Sequence, residues 1–427
     1  MIVEKIVEKA MKKAQGASAV LRRIKSDDIA FENDKLKSAK SSQSTAINLR
    51  VILDGKEGSS QTTDINDIDG LVERTLEVAE FGSKVHFDFP PFQEAPEVKV
   101  YDESVNDVNK DEMVNTSQEM MDIVKSYNSD ILLHSGVEKS VRSAEYANSS
   151  GCQFSMQGTG FGMYVYGSWI RGTDILHAGH GFSWRKREVD HKAIAEKAVE
   201  FFRMAENTAK ISSGEMSVIF LPQSIDVLLL ALRMGFNGKN VFLGASPLAG
   251  KLGQKITDER FSLTDDPLID YADNSGPYDS EGVTHQRTPL IENGTAVNFL
   301  YDLETAGKAG TKSTGNGPGC NPSNLVIDTG NTSYEQMIKD TKEGLIVNSV
   351  IGLGQGNPIS GEFSVNVQLG YKIENGEVVG RVKDTMLAGN TYHALNNIES
   401  IGDKTEWNYG GVLTPTIKIK NLSIISK

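Results

Sequence analysis

The segment that decides the fold of this chain reads Asp226-Val-Leu-Leu-Leu-Ala-Leu-Arg-Met-Gly-Phe-Asn-Gly-Lys239. Its run from Val227 to Leu232 is apolar without interruption, so a helix over residues 223–236 is apolar nearly all round. A helix of this kind belongs in a protein core. We therefore expect Leu230 and its neighbours to be buried.

The sequence on both sides of this helix is dominated by strand patterns. A strand at residues 216–221 precedes it, and alternating runs follow at residues 363–372, 377–383 and 416–425. Few long helices separate these strands, which favours an α+β fold over a parallel α/β sheet. The pattern predicts a strand-rich C-terminal domain.

Helical spacing of apolar residues marks four further segments in the N-terminal half. They lie near residues 2–11, 71–79, 110–127 and 190–202. Asp190 is the residue type that caps a helix N-terminus, so we expect the last of them to begin there.

Antiparallel strands are predicted between these helices. Residues 18–61 alternate in short runs, and Asp54-Gly55 is a strong hairpin signal. Separate short strands are expected at residues 131–133 and 145–147, with glycine-rich turns between them. The polar segment 206–214 then divides the chain into an N-terminal domain, residues 1–205, and a C-terminal domain, residues 215–427.

Composition narrows the classes of function. There are 44 Lys and Arg against 57 Asp and Glu, a net charge of −13, which opposes direct binding of nucleic acid or an anionic membrane. Cys152 and Cys320 form no Cys-x-x-Cys pair, and no apolar run approaches the length that spans a bilayer. Without a signal peptide pattern, a cytoplasmic chain is the simplest interpretation.

Seven short phrases stand out in the second half of the chain: Ser246-Pro-Leu-Ala-Gly-Lys-Leu-Gly-Gln254, Tyr278-Asp-Ser-Glu-Gly-Val283, Leu290-Ile-Glu-Asn-Gly294, Ser313-Thr-Gly-Asn-Gly317, Gly352-Leu-Gly-Gln-Gly356, Ser360-Gly-Glu-Phe-Ser364 and Ile373-Glu-Asn-Gly376. These phrases resemble the TldD/PmbA family, also called TldD/TldE and known as modulators of DNA gyrase. They occur in the family's order and spacing, and the resemblance implies the same two-domain fold.

The zinc motif of the family's catalytic branch is replaced in this chain. The resemblance places its His-Glu-x-x-x-His at Leu230, Ala231 and Gly235, and its C-terminal cysteine at Tyr409. Leu, Ala and Gly carry no side-chain lone pair for a metal. The chain is therefore similar to the PmbA/TldE branch, which implies no metal, no cofactor and no catalytic residue at these positions.

Glycine-rich loops and one acidic pair are the remaining candidates for a peptide groove, as the resemblance implies. For the loops, tight turns are an equally good explanation, and for the acidic pair the capping of a turn is the better one. Arg233 could pair with a carboxylate of a partner or of this acidic pair, or could simply reach solvent. The candidates are Thr314, Gly315, Asn316, Gly317, Gly354, Gly356, Asp279 and Glu281.

Three other features do not indicate a metal, phosphate or catalytic site. His177, His180 and His191 lack a nearby carboxylate in ligand register, which disfavours a zinc site. The glycines of residues 352–356 precede a strand pattern, whereas a phosphate-binding loop precedes a helix. Cys320 has no neighbouring base and is expected to be an inert thiol.

Three functions remain open. The chain could be a non-catalytic subunit that pairs with a zinc-bearing TldD-like paralogue, or forms a homodimer, and assists the processing of unfolded peptides. It could also be a stand-alone peptidase with an unrecognised site. The third hypothesis is a peptide-binding modulator of gyrase or of an antitoxin, acting through strand addition to a sheet edge.

Overall fold

The computed structural model describes residues 1–408 and 411–426, which form two β-sheets with helices packed against them. The helices are α1 Ile2–Ala10, α2 Ile68–Glu80, α3 Ser104–Asp107, α4 Lys110–Tyr127, α5 His191–Met204, α6 Asp226–Gly235, α7 Gly238–Phe242, α8 Leu303–Ala309, α9 Tyr334–Lys339 and α10 Thr391–Ala394. The strands are β1 Gly16–Glu32, β2 Lys35–Leu53, β3 Lys56–Thr62, β4 Ile131–Asn148, β5 Gln153–Arg171, β6 Asp174–Trp184, β7 Gly214–Phe220, β8 Leu263–Asp265, β9 Thr288–Glu292, β10 Thr295–Ala296, β11 Leu325–Ile327, β12 Glu343–Ile351, β13 Glu362–Glu374, β14 Glu377–Arg381, β15 Thr385–Asn390, β16 Ile398–Trp407 and β17 Val412–Ser426. Helices and strands are mixed in both halves of the chain, which confirms the predicted α+β class.

The N-terminal sheet has six antiparallel strands in the order β3-β2-β1-β4-β5-β6. Because β1 pairs with both β2 and β4, the two predicted groups of strands form one sheet. Residues 131–133 and 145–147 lie on the single strand β4, so the prediction of two short strands there was wrong. Cross-strand pairing along its whole length holds β4 extended, and this pairing is invisible in a local sequence pattern.

Helices cover this sheet, and α4 and α5 begin at capping side chains. The apolar faces of α1 and α2 form one core with β1 and β2, while α4 and α5 contribute to a second. The Asn109 side chain accepts a hydrogen bond from the Glu112 N–H at the start of α4. Asp190 caps α5 as predicted, accepting from the N–H groups of Lys192 and Ala193.

The C-terminal sheet has eleven strands and is organised around β17. This strand pairs with β7, β11, β15 and β16, and among the strands of the described residues the pairings β7–β12 and β11–β17 are parallel while the others are antiparallel. Apolar residues of α6 pack against the sheet in the largest core of the described residues.

Helix α6 is shorter than the sequence predicts, and one of its faces is only partly buried. A 3-10 turn, Pro222–Ser224, precedes it, and α6 itself begins at Asp226. Leu229 is fully buried, but Leu230 is only partly buried, so the expectation of burial all round was wrong at Leu230. The loop that contains Gly354 and the 3-10 turn Pro358–Ser360 flank that face of α6 in place of a sheet.

The two halves of the chain are joined by an ion-pair network, of which the Arg381 side chain is buried, and by a shared core. Asp174 of β6 binds Arg381 of β14, and Lys383 Nζ lies 2.9 Å from the same carboxylate. Residues of α4, α5, β12 and β13 share one apolar cluster. No helix among the described residues is long and apolar enough to cross a membrane.

Candidate functional site

Gly235 ends α6 at a point where there is no room for a side chain. A Cβ at this position would lie 2.6 Å from Tyr392 Oη and 3.1 Å from Leu248 Cδ1. The Tyr392 hydroxyl donates to the Ala231 carbonyl over 3.3 Å, and the Ser246 hydroxyl donates to the Gly235 carbonyl over 2.6 Å. Side chains from α10 and from the 246–254 segment thus occupy the space where the resemblance places a histidine.

The side chains at the other two motif positions on α6 also cannot bind a metal. Leu230 faces the glycine loop, with its Cδ2 3.9 Å from the position of a Cβ on Gly354, and Ala231 is buried. The fourth position, Tyr409, lies outside the described residues. These apolar residues do not fit a zinc ion on α6, because zinc requires nitrogen, sulfur or oxygen donors. Within residues 1–408 and 411–426, no three His, Cys, Asp or Glu side chains are grouped as metal ligands.

Beside the first turn of α6 lies a cavity of about 640 Å³, which we call the α6 cleft. One wall is formed by β4, β5 and β6 of the N-terminal sheet, and the other by β12, β13 and the start of α6. Asp226 lies at its base, where its carboxylate accepts from Asn408 Nδ2 over 3.0 Å and pairs with Arg233 at 3.2 Å. Arg233 therefore binds a carboxylate of its own helix, and not Asp279 or Glu281, which was one of the alternatives left open by the sequence.

Two buried amide groups in this cleft have no hydrogen-bond partner among residues 1–408 and 411–426. They are the Gln223 amide, of which both polar atoms are buried, and Asn348 Nδ2, on a residue only 4% exposed. Asn348 lies at a bulge of β12, where the register against β13 shifts between Val347 and Ser349. Bulges turn side chains out of the regular ladder, and an unpaired buried amide is costly unless a ligand satisfies it.

Three histidines of this region make unrelated contacts. His177 Nδ1 lies 2.9 Å from the Ser168 hydroxyl, across the β5–β6 ladder and facing the cleft. Burial, with a smaller contribution from Lys197, lowers the pKa of His180 to about 4, so His180 is neutral at neutral pH. His191 on α5 pairs with Glu119 at 2.8 Å.

The predicted acidic pair fixes a loop that contacts the N-terminal sheet. Asp279 accepts backbone N–H groups of Glu281, Val283 and Gly317, which confirms the interpretation of a capped turn. Burial raises the pKa of Asp279 to about 7, although these N–H groups oppose the shift. Glu281 is buried and binds Arg50 of β2 at 2.9 Å.

The glycine-rich loop that contains Gly315 and Gly317 lies beside this acidic pair and does not line the α6 cleft. Gly315, Asn316, Gly317 and Asp279 line a different cavity, of about 480 Å³. Gly315 has φ +76°, and a Cβ on it would lie 2.6 Å from the Thr284 carbonyl, so backbone geometry alone requires glycine there.

The remaining candidates have local contacts. Thr314 Oγ1 donates to Asn316 Oδ1 over 2.7 Å, and Gly354 and Gly356 have φ near +90°. Gly354 lies against Leu230, so the structure places the two glycine loops at two separate surfaces. A ligand-binding role for either loop stays a prediction.

Several residues at these surfaces escaped the sequence analysis. Gln223, Asn348 and Tyr392 belong to no chemical motif, and their positions depend on a bulge, a 3-10 turn and a distant helix. The sequence indicated the position of Tyr392 only indirectly, through the family phrase that includes Gly361. The backbone of Gly361 leaves room for the Tyr392 ring.

Comparisons with known proteins agree with this architecture. A model of the PmbA/TldA metallopeptidase C-terminal domain matches residues 213–426, and one of domain 1 of the same metallopeptidases matches residues 17–79. The first match alone covers half of the chain. The chain belongs to the PmbA/TldD family.

Family members similar to this chain occur in archaea and bacteria. An uncharacterised protein of Methanocaldococcus jannaschii is 28% identical over 98% of this chain and 99% of its own length. A Haemophilus influenzae protein named as a metalloprotease PmbA homologue is 25% identical, over 93% of this chain and 88% of its own. The crystal structure of TldE from Thermococcus kodakarensis has a TM-score of 0.92 at 24% identity and covers all of both chains, so this PmbA/TldD protein shares the TldE fold.

Proposed function

We propose that this chain is a non-catalytic, peptide-binding member of the PmbA/TldD family, with a role like that implied for the PmbA/TldE branch. The packing of Tyr392 and Leu248 against Gly235 supports the first part. A ligand-bearing side chain at this position requires both neighbours to move. The family's metal chemistry is therefore assigned to a partner chain, and no reaction step is assigned to α6.

The peptide-binding part depends on the unpaired amides of Gln223 and Asn348. A peptide backbone offers alternating N–H and C=O groups, which are the partners that a buried amide lacks. The cleft also borders β6, the edge strand of the N-terminal sheet, and extended peptides bind edge strands through main-chain hydrogen bonds. An unfolded peptide is thus the ligand class that the cleft favours.

The partner in this proposal is a TldD-like paralogue that carries the zinc motif, with a homodimer as the resting form. A symmetric dimer uses one surface patch on both copies, and a close paralogue can reuse that patch. Peptidase activity then belongs to the mixed complex, and this chain contributes a wall of the peptide path.

The substitution Asn348→Leu tests the cleft. Removing an unsatisfied buried amide should leave the free energy of unfolding unchanged or raise it, while the affinity for a labelled unfolded peptide falls about tenfold because the bound backbone loses a partner. Fluorescence anisotropy measures the affinity and urea denaturation the stability. Gln118→Leu, on the exposed face of α4, is the matched control and should change neither quantity.

Activity assays separate this proposal from the alternative of a stand-alone peptidase. The chain alone should cleave nothing, and cleavage should appear after a paralogue with His-Glu-x-x-x-His is added. If the chain alone cleaved the peptide and Ser168→Ala abolished cleavage, the Ser168–His177 pair would be a catalytic dyad and the proposal would fail. Peptide affinity that is equal for wild type and Asn348→Leu would remove the cleft from the binding path.

A further inference from the structure

The second cavity, of about 480 Å³, is rich in arginine although the chain as a whole carries a net charge of −13. Its floor consists of β1, β4 and β5, and its roof consists of the loops that contain Asp279 and Gly317. Four guanidinium groups line it, against the single carboxyl of Asp279. We call it the arginine cavity, and its four arginines are Arg22, Arg23, Arg142 and Arg185.

Among the residues that the structure describes, three of the four guanidinium groups form no ion pair with a carboxylate. Arg23 is neutralised by Glu145 at 2.9 Å. Arg22 Nη2 donates to the Ser280 hydroxyl over 3.0 Å, and Arg185 donates through Nε and Nη2 to the Asp273 carbonyl over 3.0 and 2.6 Å. Arg142 forms no hydrogen bond and no ion pair within 4 Å among the described residues, and its side chain lines both this cavity and the neighbouring one that contains Glu138.

Gly158 brings two of these groups together. Arg142 and Gly158 are directly opposite each other on β4 and β5, and a Cβ on Gly158 would lie 2.8 Å from Arg185 Nη1. The Arg185 guanidinium therefore lies over the floor beside Arg142. Burial, with a smaller contribution from Arg142 and against the charge of Asp273, lowers the pKa of Arg185 to about 10, so the Arg185 guanidinium is charged at neutral pH.

The carboxylates of the surroundings are engaged elsewhere or lie beyond ion-pair distance. Asp279 is held by three backbone N–H groups of its own loop. Asp273 accepts a hydrogen bond from the Ser183 hydroxyl and interacts with the charge of Arg185, and Glu138 interacts with the charge of Arg142. Neither carboxylate forms an ion pair with these two arginines within 4 Å. Like charges held this close repel each other, and an anion between them relieves that repulsion.

We propose that the arginine cavity binds an oxyanion, a carboxylate or a phosphate, between the guanidinium groups of Arg142 and Arg185, with Arg22 at its rim. Planar guanidinium forks bind both anions through paired N–H···O bonds. This site is separate from the α6 cleft, shares no lining residue with it and does not depend on the proposed function.

Isothermal titration calorimetry at low ionic strength tests the site. The titrants are inorganic phosphate, the dipeptide alanyl-alanine, and the same dipeptide with an amidated C-terminus. Binding of phosphate alone identifies a phosphate site, and binding of the free but not the amidated dipeptide identifies a carboxylate site. Failure of both phosphate and free dipeptide to bind at millimolar concentration overturns the proposal.

Substitutions locate the bound anion. Arg142→Gln should weaken binding at least tenfold, and since Arg142 is exposed and forms no hydrogen bond or ion pair with the described residues, its thermal unfolding should match wild type. Arg185→Lys keeps the charge but loses the fork and should weaken binding several-fold. Arg74→Gln, at an exposed ion pair on α2, is the control and should bind like wild type. Wild-type affinity in Arg142→Gln would place the anion elsewhere and refute the assignment.

Discussion

Tyr392 is the residue that closes the motif region of α6. Its ring lies between Gly235 and Gly361, where a Cβ on either glycine would come within 2.7 Å of a Tyr392 atom. Burial raises the pKa of Tyr392 to about 12, so its hydroxyl is a neutral hydrogen-bond donor to the Ala231 carbonyl at neutral pH. The Tyr392 ring fits because both neighbouring residues are glycines, so a larger residue at either position would displace the ring.

Gly235→Ala should destabilise the protein despite the better helix propensity of alanine. Propensity alone favours alanine by about 1 kcal/mol, but overpacking against the Tyr392 hydroxyl should cost about 1–3 kcal/mol. In Tyr392→Phe the clashing oxygen is absent, so the double variant should recover most of the loss. Urea denaturation of the two single variants and the double variant gives the coupling energy, and a coupling near zero would mean that Tyr392 does not fill this space.

Contacts between individual residues that are distant in sequence were the hardest feature to predict. The capping role of Asp279 was readable from a local turn pattern, because its partners lie within four residues, apart from Gly317. Tyr392 and Arg142 act through neighbours that are distant in sequence. A single sequence gives no information on such contacts.

The two faces of helix α6 contribute differently to the free energy of unfolding. Leu229 is fully buried in the C-terminal core, whereas Leu230 is partly exposed next to the glycine loop. Leu229→Ala should lower the free energy of unfolding by about 2–5 kcal/mol, as large-to-small changes in a core do. Leu230→Ala should cost about 1 kcal/mol, because little apolar area is lost and alanine favours the helix.

Denaturant unfolding of these two variants under one set of conditions is the measurement. Each substitution removes the same atoms, so each variant is the control for the other. Equal losses of stability would mean that Leu230 is buried in solution and that the motif region has become core.

Helices were easier to predict than strands for a physical reason. Helix α4 coincides with its predicted residues 110–127, because its apolar period and its Asn109 cap are local. Strand β4 was divided into pieces, since its extended form depends on pairing with β1 and β5. The hairpin turn at Asp54-Gly55, with φ of 49° and 69°, was readable because two residues determine it.

At the scale of the whole molecule, Asp174 links the two sheets. Burial raises its pKa, but hydrogen bonds and charges from Lys383, Arg381 and Arg171 outweigh this effect and lower the pKa to about 2. The Arg381 side chain is only 4% exposed, so loss of the carboxylate leaves a buried cation unpaired. We expect Asp174→Asn to lower the free energy of unfolding by about 3 kcal/mol at pH 7.

The same pair predicts how this loss depends on pH. A carboxylate with a depressed pKa stabilises the fold above its unfolded pKa of about 3.9, and this contribution is lost as the pH falls towards 2. The stability difference between wild type and Asp174→Asn should therefore shrink between pH 4 and pH 2 in urea titrations. Asp69→Asn, whose carboxylate is 71% exposed in its ion pair with Lys9, is the control and should show little difference at any pH. A gap that stays constant through this range would assign the loss to packing.

The central position of β17 has a consequence for biosynthesis. Strands β7 and β15 both pair with β17, which the ribosome makes after every other strand of their sheet. The six strands of the N-terminal sheet, by contrast, are all complete once residue 184 has emerged. During translation the nascent chain therefore carries a finished first sheet and a second one with open edges, and open edges recruit strands from other chains. We therefore expect the nascent chain to be most prone to pairing with strands of other chains in the interval between synthesis of β7 and of β17.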